Sequence, residues 1–292
     1  MAVTSAYLAI IIIWSTTPLA IQWSSAGVGY EFAVALRMVI GLAALLIIVR
    51  LWRLPMPIDR DAIKVYFAGG IPLFLAMSSV YWSAQFIPSG WIAVIFGLTP
   101  FLTSVFAHFM LGGQSFTFAK SSAMLLGFIG LTIVFAESFD ATKSSWMGVA
   151  GICFSAVVHS FGAVTLKKLQ PTMPSISVTT GSLMVATPLF VLSSVIHGIP
   201  NSIPDSSLKA IIYLAFMGSA LGFPLYYFCL KNLRAEQVAL ITLITPVTAL
   251  LLGIWLNGEL ISIHIWIGTA FIVSGLALYE FGHLLRNRKS QC

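Results

Sequence analysis

Two stretches of this chain follow the same order: AVIFGLTP at Ala93–Pro100 and ALITLITP at Ala239–Pro246. The shift of 146 residues that superimposes them also lays Tyr81 on Tyr227 and Gly112 on Gly258. A shift of 145 lays Ile129-Gly130-Leu131 on Ser274-Gly275-Leu276. The chain is therefore read as two repeats, residues 1–143 and 144–292. Both Thr-Pro pairs fall in the middle of long apolar runs, so what repeats is a set of membrane helices.

Composition fixes that class. Of 292 residues, 59% are hydrophobic and only 8% charged, against about 25% charged in an ordinary soluble domain. A soluble globule of this size must show part of its surface to water and has no place for so much apolar side chain. A spanning helix needs roughly 20 mostly apolar residues. Cutting at clusters of charge, Pro, Gly and Asn gives ten segments: 6–24, 31–50, 62–86, 89–111, 118–136, 145–166, 175–197, 208–230, 236–256 and 263–284. Strand-like alternation is absent, which argues against an outer-membrane barrel. The expected fold is an all-α integral membrane protein of ten transmembrane helices, arranged as two inverted five-helix repeats. Inversion follows because an odd number of crossings per repeat sends the second half through the bilayer in the opposite sense.

The basic residues set the orientation. With the N-terminus in the cytoplasm, Arg50, Arg53, Arg60, Lys64, Lys120, Lys167, Lys168, Lys231, Arg234, Arg286, Arg288 and Lys289 lie inside, and only Lys143 and Lys209 outside. An inner-membrane, multi-pass protein with both termini cytoplasmic is expected. The net charge of +6 is explained by this placement, and no nucleic-acid partner is called for. Met1 to Ser5 carry no Lys or Arg, so the first apolar run reads as a retained helix rather than a signal peptide. Cys153, Cys229 and Cys292 have neither CxxC spacing nor a His pair nearby, so neither a metal site nor a disulfide framework is expected.

Order and spacing of these motifs resemble the drug/metabolite transporter superfamily, in its EamA-type branch of two tandem domains. The resemblance is carried by Ile13-Trp14-Ser15-Thr16 in the first helix, Arg37 in the second, Ala235-Glu236-Gln237-Val238-Ala239, the two Thr-Pro pairs and Asn257-Gly258-Glu259. It covers nearly the whole chain. It implies movement of small metabolites, often amino acids, through a central cavity. Three departures stand out. Gly113 occupies the place of Glu259 in the first half, Pro88-Ser89-Gly90 replaces an Ala/Ser-rich turn, and His159 is the mate of Trp14 where an aromatic is usual.

Inverted symmetry places Trp14 and His159 on opposite sides of the cavity. For His159, substrate or proton contact stands beside a neutral His bonded to a helix carbonyl or to Ser155. His108 reads first as helix-end packing. Arg37, near the start of its helix, reads first as snorkelling to the headgroups, with an anion contact or a pair with Glu31 as the alternative. Glu31, Glu137, Glu236, Glu259 and Glu280 all lie near helix ends, which disfavours a carboxylate relay or cation site at mid-membrane.

Tyr81 and Trp82, matched by Tyr227 and Phe228, offer apolar faces with polar handles; Trp91 reads first as part of the interfacial belt. Thr99-Pro100 and Thr245-Pro246 predict cavity-facing kinks, with Pro18 and Pro224 acting similarly. Gly218 and Gly222 form a GxxxG pattern read as close packing.

The function expected is a secondary transporter that moves a small amphipathic metabolite, an amino acid or related compound, with export the expected direction, by alternating access. Its substrate-binding set would be Trp14, His159, Tyr81, Trp82, Thr99, Tyr227 and Thr245. No cofactor and no metal are called for, and the partners are the small-molecule substrate and membrane lipid, with the chain acting as monomer or homodimer. An integral-membrane enzyme is the alternative from another class. It is disfavoured because no HExxH, Ser-His pair or acidic cluster is present. Among transporters, carriers of nucleotide sugars or lipophilic cations are the alternatives; the first want mid-membrane Lys or Arg and the second an acidic partner.

Overall fold

The fold was described from a computed structural model. It describes residues 3–112, 118–141, 144–239, 241 and 244–289, with the backbone alone at 118–119, 138–141, 236, 239 and 280–289. Gly113, Lys143 and Cys292 lie outside the described residues, as do the side chains of Glu236, Glu280, Arg286, Arg288 and Lys289. Among the described residues all regular structure is helical.

The first half comprises α1 (Val3–Ser25), α2 (Tyr30–Leu51), α3 (Arg60–Ser83), α4 (Ser89–Phe96), α5 (Thr99–Leu111) and α6 (Phe118–Ala141). The second comprises α7 (Ser145–Leu169), α8 (Ser175–His197), α9 (Asp205–Tyr213), a π-helical stretch (Leu214–Gly222), α10 (Phe223–Asn232), α11 (Ala235–Ala239), α12 (Thr245–Asn257) and α13 (Ile263–Lys289). Eight segments are long and apolar enough to cross a bilayer, counting α4–α5 and α9–α10 as one each. The shorter apolar helices Thr245–Asn257 and Ile263–Tyr279 take the ninth and tenth places.

Local chemistry explains where the helices stop. Asp59 caps α3 by accepting from the backbone N–H of Asp61 and Ala62, both at 3.0 Å. Those bonds, chiefly the one from Ala62, hold its carboxyl below the usual carboxylate range. Gly112 and Gly258 end α5 and α12 with left-handed backbone, φ 65° and 62°, a conformation glycine adopts without steric cost. Pro100 and Pro246 each lie in the first turn of a helix, α5 and α12. There the missing N–H would have had no partner anyway. The kink expected at Thr99-Pro100 is thus a break, with one helix ending at Phe96 and the next starting at Thr99, and Thr245-Pro246 likewise opens a helix. Pro18 stays inside an unbroken α1, and Pro224 opens α10 after the π stretch.

The halves pack by a common rule. α6 lies on α13; α1 packs on α12 as α7 does on α5; α4 meets α12 as α5 meets α11. Likewise α3 packs on α7, as α1 does on α9 and α10, and α2 meets α8. Exchanging the halves maps this contact pattern onto itself. Large apolar side chains such as Ile12, Ile47, Phe128, Ile196 and Trp255 point outward, as a lipid-facing surface requires.

Close approach of α6 and α13 depends on glycine. A Cβ at Gly130 would stand 2.5 Å from the Gly268 carbonyl oxygen, and one at Gly268 would stand 2.9 Å from that of Gly130. Small residues let membrane helices touch through their backbones, where lipid supplies no hydrophobic drive to associate. Gly268→Val is expected to cost about 1–3 kcal/mol through overpacking. Thermal unfolding of the purified protein checks this; an unchanged midpoint would show that α6 and α13 part freely.

Candidate functional site

A cavity of about 110 Å³ lies where the halves meet. Its wall draws on α1, α2, α3 and α4 from the first half and on α7, α10, α12 and the π stretch from the second. Sequence reasoning assigns the first, third, fourth, sixth, eighth and ninth helices to this place; Arg37 adds the second.

Trp14 and His159 both line the cavity, yet they do not face each other across it. Their rings meet edge to face at 5.9 Å between centroids. Tyr226 lies 5.3 Å from each of them, and Phe96 lies 6.0 Å from His159. The two first helices bring these rings together near the pseudo-twofold axis, so they form one aromatic wall. Ser155 donates to the Ala76 carbonyl at 2.9 Å rather than to His159. Among the described residues nothing hydrogen-bonds the His159 ring.

The neighbouring serines reproduce the symmetry. Thr248 donates to Ser15 at 2.7 Å, tying α12 to α1, and Ser160 donates to the Thr99 carbonyl at 3.3 Å, tying α7 to α5. The two threonines of the Thr-Pro pairs differ. Thr245 lines the cavity, whereas Thr99 is buried beside it and returns its hydroxyl to the Phe96 carbonyl at 2.8 Å.

Arg37 is the largest correction. It is 1% exposed, in the interior of the bundle, so its guanidinium does not reach the headgroups. Nor does it pair with Glu31, which approaches His197 at 3.8 Å. Instead its Nε donates to Ser219 at 3.0 Å and its Nη1 to the Tyr81 hydroxyl at 3.3 Å. Tyr81 is fully buried and holds the arginine.

Trp82 packs on Phe86 at 5.0 Å and against Gly151 of α7, away from the cavity. Trp91 is buried at 3% exposure instead of standing in the interfacial belt. It opens α4, which packs on α12, α7 and α1, so protein covers its ring. His108 sits in the last turn of α5 against Phe109. Pro18 lines the cavity; Pro100, Pro224 and Pro246 do not.

Sequence reasoning missed Tyr226, Phe96, Phe223 and Gly218. Gly218 is not merely a packing glycine of a GxxxG pair: a Cβ there would stand 2.6 Å from Arg37 Nη2.

The two ends of the bundle differ. At one end Glu259 accepts from the backbone N–H of Ser89 at 3.0 Å and of Gly90 at 3.3 Å. Asn257 donates to Glu259 and to Gln22, accepts from Trp23, and Gln22 donates to the Ile87 carbonyl at 2.8 Å. This network joins α1, the turn before α4 and the turn after α12. The carboxylate also meets the positive end of α4. At the other end Lys167 caps α10 through the carbonyls of Leu230, Lys231 and Leu233. Beside it lies a second cavity of about 320 Å³, which shares Leu166 and Tyr227 with the central one.

Known proteins share this architecture. The model of the EamA-like transporter family matches twice, over residues 2–136 and 146–281. The chain is 24% identical over 281 residues to the uncharacterized transporter YoaV of Bacillus subtilis, covering 94% of this chain and 95% of that one. It is 26% identical over 205 residues to the uncharacterized inner membrane transporter YedA of Escherichia coli, covering 69% and 65%. A probable amino-acid metabolite efflux pump of Escherichia coli is 22% identical over 214 residues, covering 70% and 71%. A solved crystal structure superimposes with a TM-score of 0.72 at 20% identity, over 95% of this chain and 96% of that one, which bears on the fold. Two family matches, one on each repeat, around a cavity that both repeats line, lead to one statement: this chain belongs to the EamA-like transporter family of the drug/metabolite transporter superfamily, as a multi-pass protein of the inner membrane.

Proposed function

We propose that this protein is a secondary carrier that exports a small amphipathic metabolite, an amino acid or related compound, by alternating access. The observation that carries the proposal is the central cavity itself. Both halves line it, a second cavity that shares Leu166 and Tyr227 with it lies toward the Lys167 end, and the Glu259 end is tied across the halves. If both termini are cytoplasmic, the Lys167 end would face the cytoplasm and this arrangement would correspond to an inward-facing state. Rocking the halves about the aromatic wall would break the Glu259 network and open the cavity outward.

The lining supports the substrate class. It is mostly apolar and aromatic, with Arg37 its one formal charge and no carboxylate among the lining residues. A lipophilic cation would find no counter-ion there, and a nucleotide sugar would find one cation for several negative charges. The amino-acid class and the outward direction draw support from the relatives described as probable amino-acid metabolite efflux pumps.

In liposomes, counterflow of labelled leucine or phenylalanine should be saturable, and Trp14→Ala, His159→Ala and Tyr226→Ala should each lower it by about tenfold, equivalent to about 1.4 kcal/mol of binding. Absence of saturable exchange across neutral and aromatic amino acids would refute the substrate class.

A second prediction concerns the Glu259 network. Hydrogen bonds to a charged group contribute about 1.5–3 kcal/mol when buried, and less at this half-buried site. Glu259→Gln is therefore expected to shift the equilibrium outward by about fivefold. An Ile92→Cys reporter, in a background lacking the native cysteines, should react correspondingly faster with an impermeant maleimide added to intact cells. Unchanged reactivity would mean that Glu259 does not hold the outer end closed.

A further inference from the structure

Arg37 carries a permanent charge inside the bundle, because a guanidinium cannot lose its proton in a protein. Every partner it has among the described residues is neutral: the hydroxyls of Ser219 and Tyr81, and the rings of Tyr81 and Phe223, whose centroids lie 5.9 and 5.8 Å from its central carbon. The ion pairs among the described residues join Lys64 to Asp61, His197 to Glu31 and His264 to Glu137. Arg37 takes part in none of them. Of its five N–H donors, one on Nε and one on Nη1 are used. The second on Nη1 and both on Nη2 have no acceptor among the described residues.

The free edge of the fork has a definite place. Nη2 lies over Gly218, which itself lines the cavity, and any side chain larger than glycine there would collide with it. Gly218 belongs to the π-helical stretch Leu214–Gly222, an irregularity found mostly where a helix serves a function. A buried charge left without a counter-ion is unstable unless something of opposite sign joins it. Two parallel N–H groups on one planar fork match a carboxylate.

We infer that Arg37 is the anchor for the carboxylate of the transported molecule, whose apolar group then packs against Trp14, Tyr226, His159 and Phe96. The inference deepens the proposed transport function and rests on it. It narrows the substrate class to small amphipathic monocarboxylates, free amino acids among them, because one cation balances one negative charge.

Paired acids and amides test this. Purified protein in detergent would be titrated with leucine and phenylalanine and with leucinamide and phenylalaninamide, reading displacement of labelled phenylalanine and ligand-induced thermal stabilisation. Wild type should prefer each acid over its amide by about tenfold or more, a preference that comes from charge-assisted pairing. Arg37→Gln keeps an uncharged donor near the Nε position, within reach of Ser219, and should bring that ratio close to one. Gly218→Ala displaces Nη2 without removing the charge and should weaken acid binding several-fold more than amide binding, lowering the ratio. A purely structural arginine would lower stability in Arg37→Gln yet leave the ratio as in wild type, and that result overturns the assignment. Amides that exchange in liposomes as well as acids also overturn it while leaving the carrier reading intact. If neither acids nor amides bind or exchange, the assignment and the amino-acid reading fall together.

Discussion

Lipid offers no hydrogen bonds, so a chain inside a bilayer can interrupt its helices only where protein or a wet cavity takes over the freed backbone groups. This constraint decides where the interruptions lie. The fourth helix breaks before Thr99-Pro100, a helix starts anew at Thr245-Pro246, both pairs buried, and the eighth widens into a π stretch beside Arg37. All three stand where the halves meet. Side chains tie them in place: Ser160 to the Thr99 carbonyl, Ser15 to Thr248, and Arg37 to Ser219 of the π stretch. The cavity exists because these segments depart from regular helix, and the departures are tolerated because each faces the other half.

The same constraint sorts the charges. Carboxylates stay at the ends, where Glu31 meets His197, Glu137 meets His264 at 2.9 Å, and Glu259 takes two backbone N–H groups at the start of α4. Lys167 and Lys231 turn to helix-end and loop carbonyls. Among the described residues Arg37 alone brings a charge into the cavity wall, and the surrounding structure is arranged for it: a glycine under Nη2, a hydroxyl for Nε, and aromatic faces beside it. The aromatic contacts lessen the loss of water without supplying a counter-charge.

Much of this was legible in the sequence. Apolar runs gave the spanning segments, the Thr-Pro pairs and closing glycines gave the repeat, and both matched family segments fall within it. The features that stayed hidden did so for physical reasons. α2 is apolar on nearly every side, so no face of it signals inside or outside; position near a helix start then suggested that Arg37 snorkels. The mate of Tyr81 by repeat register is Tyr227, yet Tyr226 joins Trp14 and His159. Tyr227 lines the cavity too, and the π stretch before α10, which the unbroken α3 lacks, goes with the neighbouring Tyr226 also reaching the wall. Trp82 and Trp91 carry the same chemistry as cavity aromatics, and only packing separates them.

The repeats differ at positions where the proposed carrier cycle would need them to differ. A perfectly symmetric pair of halves would make inward- and outward-facing states equal in energy, whereas a directional cycle is tuned by breaking that equality. Glu259 binds the start of α4 at one end, while its mate Gly113 has no side chain with which to do the same at the other. Trp14 is answered by an imidazole, and Thr245 opens onto the cavity where Thr99 turns its hydroxyl to the Phe96 carbonyl at the end of α4. The shared motifs build two halves able to exchange roles. Under the proposed carrier cycle, the exceptions to the repeat would set which end rests closed and which surface of the cavity meets the substrate, which would concentrate the functional content of this sequence in its broken symmetry.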